Sequence, residues 1–207
     1  MANATVRCRC GAVEGQVANA SGRTANRVVC YCDDCQAFAH HLGRADLLDG
    51  NGGTDIVQVA PARVTLTKGQ EHIAGVRLSP RGLHRWHTTC CNTPFGNTVG
   101  PQIPFVGFVA QDFDHDGQRA DAVFGKPIGA ILGRYATGEV PAKWQGMPLG
   151  IVVRALRRVL GWKLTGKTWP HPFFERSGVP RYPIRVLTRE ERQALRPLCG
   201  PRPVART

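Results

Sequence analysis

Cys30-Tyr31-Cys32-Asp33-Asp34-Cys35 sets three thiols within six residues, in a C-x-C-x-x-C pattern. Thiols this close cannot all pair as disulfides without severe strain. They can all turn toward one soft metal ion, and Zn²⁺ takes Cys ligands at about 2.3 Å. Two further clusters flank this one at a distance: Cys8-Arg9-Cys10-Gly11 ahead of it and His87-Thr88-Thr89-Cys90-Cys91 behind it. The first half of the chain therefore reads as a frame that gathers these clusters around zinc.

Of the eight cysteines among 207 residues, seven lie in those clusters and Cys199 stands alone. A secreted disulfide scaffold spreads its cysteines more evenly and carries a leader. Here the start, Met1-Ala2-Asn3-Ala4-Thr5-Val6-Arg7, has no apolar leader core, so we expect a reducing, cytoplasmic setting. No run approaches the roughly 18 apolar residues of a membrane span. The net charge of +12 is unevenly placed. Residues 1–125 hold 11 basic and 11 acidic side chains, and residues 126–207 hold 16 against 4. This shift divides the chain into a zinc-binding β domain over 1–123 and a basic extension over 124–207.

Short β-branched runs separated by turn residues fill the first part. Val13 to Val17, Arg27 to Cys30, Ile56 to Val59, Arg63 to Leu66, Val76 to Leu78, Leu83 to His87 and Phe105 to Val109 all have strand character. Gln36 to Leu42 suits a short helical turn that carries His40 and His41. Asp112-Phe113-Asp114-His115-Asp116-Gly117 has the opening of a calcium loop but lacks the Glu such a loop needs downstream, and it reads as a charged turn. In the extension, residues 149–160 form an amphipathic helix with Arg154, Arg157 and Arg158 on one face. Such a helix ordinarily buries its apolar stripe against the body; the alternative is an interfacial helix on an anionic membrane. Thr188-Arg189-Glu190-Glu191 is a capping box opening a short helix near 189–196.

Two zinc sites can be drawn. The first joins Cys8 and Cys10 to Cys90 and needs a fourth ligand. His87 lies three residues before Cys90 and can face the same ion across a turn, whereas the neighbour Cys91 points the other way if the chain is extended there. Spacing favours His87, with Cys91 as the alternative. The second site is Cys30, Cys32 and Cys35. Three ligands leave a position for water or substrate, which is what separates a catalytic zinc from a structural one. Asp33, Asp34, His40 or His41 would close it if one of them reached the ion.

The combination of a C-x-C-G start, a C-x-C-x-x-C some twenty residues on, and a knuckle near residue 90 followed by Thr93-Pro94-Phe95 resembles the glutathione-dependent formaldehyde-activating (GFA) enzyme family, which includes centromere protein V. The resemblance covers roughly residues 5–117. It implies an Mss4-like β-tent with two zinc ions, and carbon–sulfur lyase chemistry on a glutathione or other thiol adduct such as S-hydroxymethylglutathione. Cys8, Cys10 and Cys90 then match structural-zinc ligands, and Cys30, Cys32 and Cys35 the catalytic-type ones. Two features depart from the family. His87 stands where it has Cys and Cys91 where it has Gly, and the region after 120 has no counterpart. His40 or His41 could serve such an enzyme as proton carrier. The competing readings are a zinc-stabilised module whose basic half contacts nucleic acid, membrane or protein, and a metal-handling protein. Aromatics are not interleaved with the basic residues as on a stacking platform, which argues against nucleic acid.

Overall fold

The computed structural model describes residues 3–201, so 202–207 of the expected extension lie outside the described residues. The chain is mainly β, with eleven strands in two sheets. The smaller sheet has the order β1 (Ala4–Arg7), β2 (Glu14–Val17), β5 (Val64–Lys68), all antiparallel. The larger sheet begins with β10 (Ala130–Ile131), β3 (Asn26–Cys30), β4 (Thr54–Val59) and β9 (Val106–Val109). It continues through β8 (Pro94–Thr98), β7 (His84–Thr88), β6 (Ile73–Arg77) and β11 (Ile184–Val186).

The core lies where the sheets face each other. Val6, Val17 and Val64 of the small sheet, with Val13 just before β2, meet Val57, Trp86, Phe95 and Phe108 of the large one. Alternation along β7 sets its two faces apart. Trp86 and Thr88 are fully buried on the core side, where Trp86 stacks on Phe173 at a centroid distance of 4.9 Å. Arg85 points to the opposite side, over the ring of Phe38 on α1 (Asp33–His41).

The boundary near 123 marks a change of charge, yet the chain beyond it is threaded into the same sheet. Its β10 and β11 pair in parallel with β3 and β6 and form both outer edges. Phe173 and Phe174 sit in the main core. Two short helices, α2 (Ala120–Phe124) and α4 (Arg189–Ala194), bracket the long helix α3 (Leu149–Leu164) in sequence. The capping box at Thr188 and Glu191 forms as expected. In the 112–117 turn, Asp114 Oδ1 accepts from the Ala120 amide and so caps α2.

α3 reverses the expected packing. Two of its three arginines turn toward the body: Arg154 Nε donates to Asn26 Oδ1 at 3.0 Å, and Arg158 donates to the Arg23 carbonyl. Trp162 is buried, while Leu149, Val153, Leu156, Leu160 and Leu164 face outward. No helix among the described residues is long and apolar enough to cross a membrane.

Candidate metal centres

The Cys8–Cys10 turn follows β1 directly. Gly11 has φ +74°, in the left-handed region, where a Cβ would be strained, and this lets the chain double back. The Gly11 amide donates to the Cys8 carbonyl at 2.9 Å, and the Val13 amide donates to Cys8 Sγ at 3.2 Å. The Cys90–Cys91 turn joins β7 to β8. There the Thr88 amide donates to the Thr93 carbonyl at 2.9 Å, and Asn92 adopts φ 53°. The Arg9 amide donates to Thr93 Oγ1 at 3.0 Å and locks the two turns together.

This brings four sulfurs together: Cys8, Cys10, Cys90 and Cys91, all within 4.8 Å of one another. The close pairs are Cys8–Cys10 at 3.7 Å, Cys8–Cys90 at 3.9 Å, Cys10–Cys90 at 3.4 Å and Cys90–Cys91 at 3.8 Å. These spacings are far too long for disulfides. They match the edge of about 3.8 Å that a tetrahedron of sulfurs has around zinc at about 2.3 Å. The donor set thus fits a closed zinc site.

The fourth sulfur of this group is that of Cys91, and His87 is outside it. The reasoning that favoured His87 assumed extended backbone at residues 90–91. The chain instead curls there, and adjacent side chains fall on the same side. His87 remains in β7 and shares the Arg85 face. Burial lowers its pKa, with the charges of His41 and Arg185 nearby adding to the effect. Burial pushes the Cys91 thiol up, but hydrogen bonds with Thr88 and Thr93 outweigh it and bring it down to about 6. Cys90 is pushed up to about 12 by burial and by its contact with Cys10. A low-pKa thiol beside high ones is the pattern of thiols sharing their protons, which a metal ion would replace.

The second group, Cys30, Cys32 and Cys35, is built from a strand end and a helix start. Cys30 closes β3. Cys32 is the N-cap of α1, and its sulfur accepts from the Cys35 amide at 3.3 Å. Cys35 lies in the first turn. The positive end of the helix therefore faces all three sulfurs and favours thiolate. Sequence reasoning missed Arg85, which is only 2% exposed and donates from Nη1 to Cys35 Sγ at 3.8 Å and to Asn97 Oδ1 at 3.3 Å. Contacts with Cys30 and Cys32 hold the Cys35 pKa well below the usual thiol value, against burial, and Arg85 adds to this. Its sequence neighbours are His84 and Trp86, and no local signal marks it as buried.

The extension roofs this group. Ile131 and Leu132 pack against Cys30, Cys35 and Ile56, so that the partly exposed Cys32 is the approach to the sulfurs. Gln36, fully buried, ties the roof down: its Nε2 donates to the Tyr31 and Tyr135 carbonyls, and its Oε1 accepts from the Gly200 amide. Asp33 and Asp34, suggested as closing ligands, are held by other partners. Arg192 Nη2 reaches Asp33 at 2.6 Å and Asp34 at 3.0 Å, and Arg196 Nη1 reaches Asp33 at 2.7 Å. His40 and His41 lie in the last turn of α1, away from the cysteines of its first turn. Cys199 belongs to neither group: its sulfur lies 3.3 Å from the Leu195 carbonyl.

No curated protein matches this chain. Among solved structures, a Rhodobacter sphaeroides protein determined in a structural genomics programme is similar over 61% of this chain and 99% of its own, at 15% identity and a TM-score of 0.42. Residues 2–184 match a family described as being of unknown function, DUF6151, and the chain belongs to that family.

Proposed function

We propose that the protein is a two-zinc protein in which Cys8, Cys10, Cys90 and Cys91 hold a structural ion. Cys30, Cys32 and Cys35 hold a second ion that meets a thiol-derived substrate. On this reading the fold is the β-tent of the formaldehyde-activating family, and the activity is making or breaking a carbon–sulfur bond in a glutathione or similar thiol adduct. The observation that carries it is the three-sulfur group: among the described residues, no fourth Cys, His, Asp or Glu joins it. A zinc ion there would supply a Lewis-acid position able to hold a sulfur or polarise an oxygen. The chain's own residues do the rest. Arg85 offsets the thiolate charge, the start of α1 orients Cys32 and Cys35, and Ile131 and Leu132 exclude water from the buried side.

The test has two parts. Elemental analysis should give two zinc ions per chain, and Cys32→Ser should lose one while the fold is kept. Exchange of ¹³C-formaldehyde with glutathione, followed by NMR, should then run faster with the wild type than with buffer or with Cys32→Ser. Exchange at the buffer rate by a protein holding both ions would end the lyase reading. The apolar roof favours a second reading, in which both ions are structural and the domain is a binding module. Loss of folding in Cys32→Ser would favour that one.

A further inference from the structure

α3 exposes the side that helices in water ordinarily bury. Leu149 is 76% exposed, Val153 43%, Leu156 63%, Leu160 58% and Leu164 78%. At 100° per residue these five fall within a sector of about 80°, on one line some 22 Å long. Contiguous apolar surface of this kind marks an interaction site. A shallow groove of about 920 Å³ runs along the flank of the stripe, lined by Leu149, Val153, Arg154, Arg157 and Trp162 among others.

Charge identifies the occupant. Arg157 borders the stripe on one side and Lys163, whose Nζ donates to the Gln102 carbonyl at 2.7 Å, borders it on the other, both exposed. Arg157 makes no hydrogen bond or ion pair with any described residue. From Val140 to Phe174 the sequence contains no Asp or Glu, while Lys143, Arg154, Arg157, Arg158, Lys163 and Lys167 all lie within it. A second copy docked on the same face would set these cations against their own likeness with nothing to pair them. The complementary surface must be apolar at its centre and anionic at its edges. An anionic bilayer offers both, with acyl chains below a headgroup layer.

We infer that α3 is an interfacial helix by which the protein docks on an anionic membrane surface. The five apolar side chains enter the headgroup boundary, and Arg157 remains at phosphate level beside them. The β body carries the helix on its polar side, through Arg154, Arg158 and Trp162, so docking needs no rearrangement of the core.

Co-sedimentation of the full chain with vesicles tests this. One set is phosphatidylcholine alone, and the other contains about a third phosphatidylserine. The expected result is binding to the anionic vesicles that is at least about tenfold weaker on the neutral ones, and weaker again when salt shortens the screening length to about 3 Å. Leu156→Asp combined with Leu160→Asp should reduce partitioning by about a hundredfold, since each leucine withdrawn from the boundary costs roughly a factor of ten. Arg157→Glu should weaken binding to the anionic vesicles and leave the neutral ones unaffected. Zinc content and melting temperature should be unchanged in both variants, because these side chains hold nothing in the body. Failure to bind either vesicle would overturn the inference, as would binding indifferent to the leucine pair. So would a dimer in sedimentation equilibrium that the leucine pair disperses while vesicles are ignored.

Discussion

Replacing Arg85 with methionine tests the three-sulfur group most directly. The guanidinium is fully buried, 3.8 Å from Cys35 Sγ, and stacks over Phe38. At that distance, with an effective dielectric constant of about 20, its attraction for one thiolate is about 4 kcal/mol. Methionine keeps most of the volume and the contact with Phe38, so little of the loss is cavity. It leaves the thiolate charge buried without a partner, which typically costs about 3–5 kcal/mol. For a chain of this size each kcal/mol moves Tm by about 2–4 °C, so calorimetry should show a fall of roughly 6–20 °C. Competition with a chromogenic chelator should show one zinc leaving more readily and the other unaffected. Because the pair is sealed from solvent, the difference between the proteins should persist at high salt. An Arg85→Met protein that melts with the wild type and keeps both ions equally tightly would refute the role of Arg85 as counter-charge.

Three further outcomes follow from the geometry. Cys91→Ser should weaken one zinc site by orders of magnitude, while His87→Gln should leave two ions bound; the opposite result in chelator titration would reinstate His87. His171 is buried beside Phe173 and Phe174, and burial lowers its pKa to about 4, helped by Arg181. A histidine kept neutral by folding contributes stability that is present above its ordinary pKa of about 6.5 and lost as pH falls toward 4. The loss should total about 3 kcal/mol, and His171→Gln should flatten the fall between those pH values in urea titrations by about 1.4 kcal/mol per unit; parallel curves would count against it. Asp33→Ala removes the shared partner of Arg192 and Arg196 and should lower stability by about 1–3 kcal/mol, with faster amide exchange in residues 189–200 than in the core. Uniform exchange would mean that the clamp does not hold the extension.

What the sequence disclosed was whatever local chemistry decides. The β-branched runs became β3, β4, β5 and β9 within a residue or two. The two C-x-C pairs, the capping box at Thr188 and the helix at 149 also lay within reach, since each depends on neighbours a few positions apart. β8 did not: Pro94-Phe95-Gly96-Asn97-Thr98 carries the two residues that ordinarily exclude a strand, and it pairs because β7 and β9 flank it. β10 and β11 are two and three residues long and exist only as edges laid on a finished sheet. The choice between His87 and Cys91 stayed open in the sequence because the direction of Cys91 depends on a turn, and turns are set by distant closure as much as by composition. The burial of Arg85 was hidden for the same reason: nothing in His84-Arg85-Trp86 says that a helix carrying Cys35 will lie over it.

The two groups of sulfur solve opposite problems, and this accounts for the extension. The four-sulfur group has exposed members, Cys10 and Cys90, and would tolerate them around a zinc ion, because four ligands would leave water no position to take. Three thiolates would outweigh a bound divalent ion by one charge, and Asp33 and Asp34 stand between Cys32 and Cys35 and add two more. Such an accumulation, with Cys30 and Cys35 beneath an apolar roof, is stable only if cations are brought to it. Arg85 comes from the β domain and meets Cys35. Arg192 and Arg196 come from the far end of the chain and meet Asp33 and Asp34. Part of the basic excess after residue 125 is therefore internal counter-charge, delivered by the same segment whose Ile131 and Leu132 close the roof. The part left over is concentrated around α3, whose cations form no ion pair among the described residues.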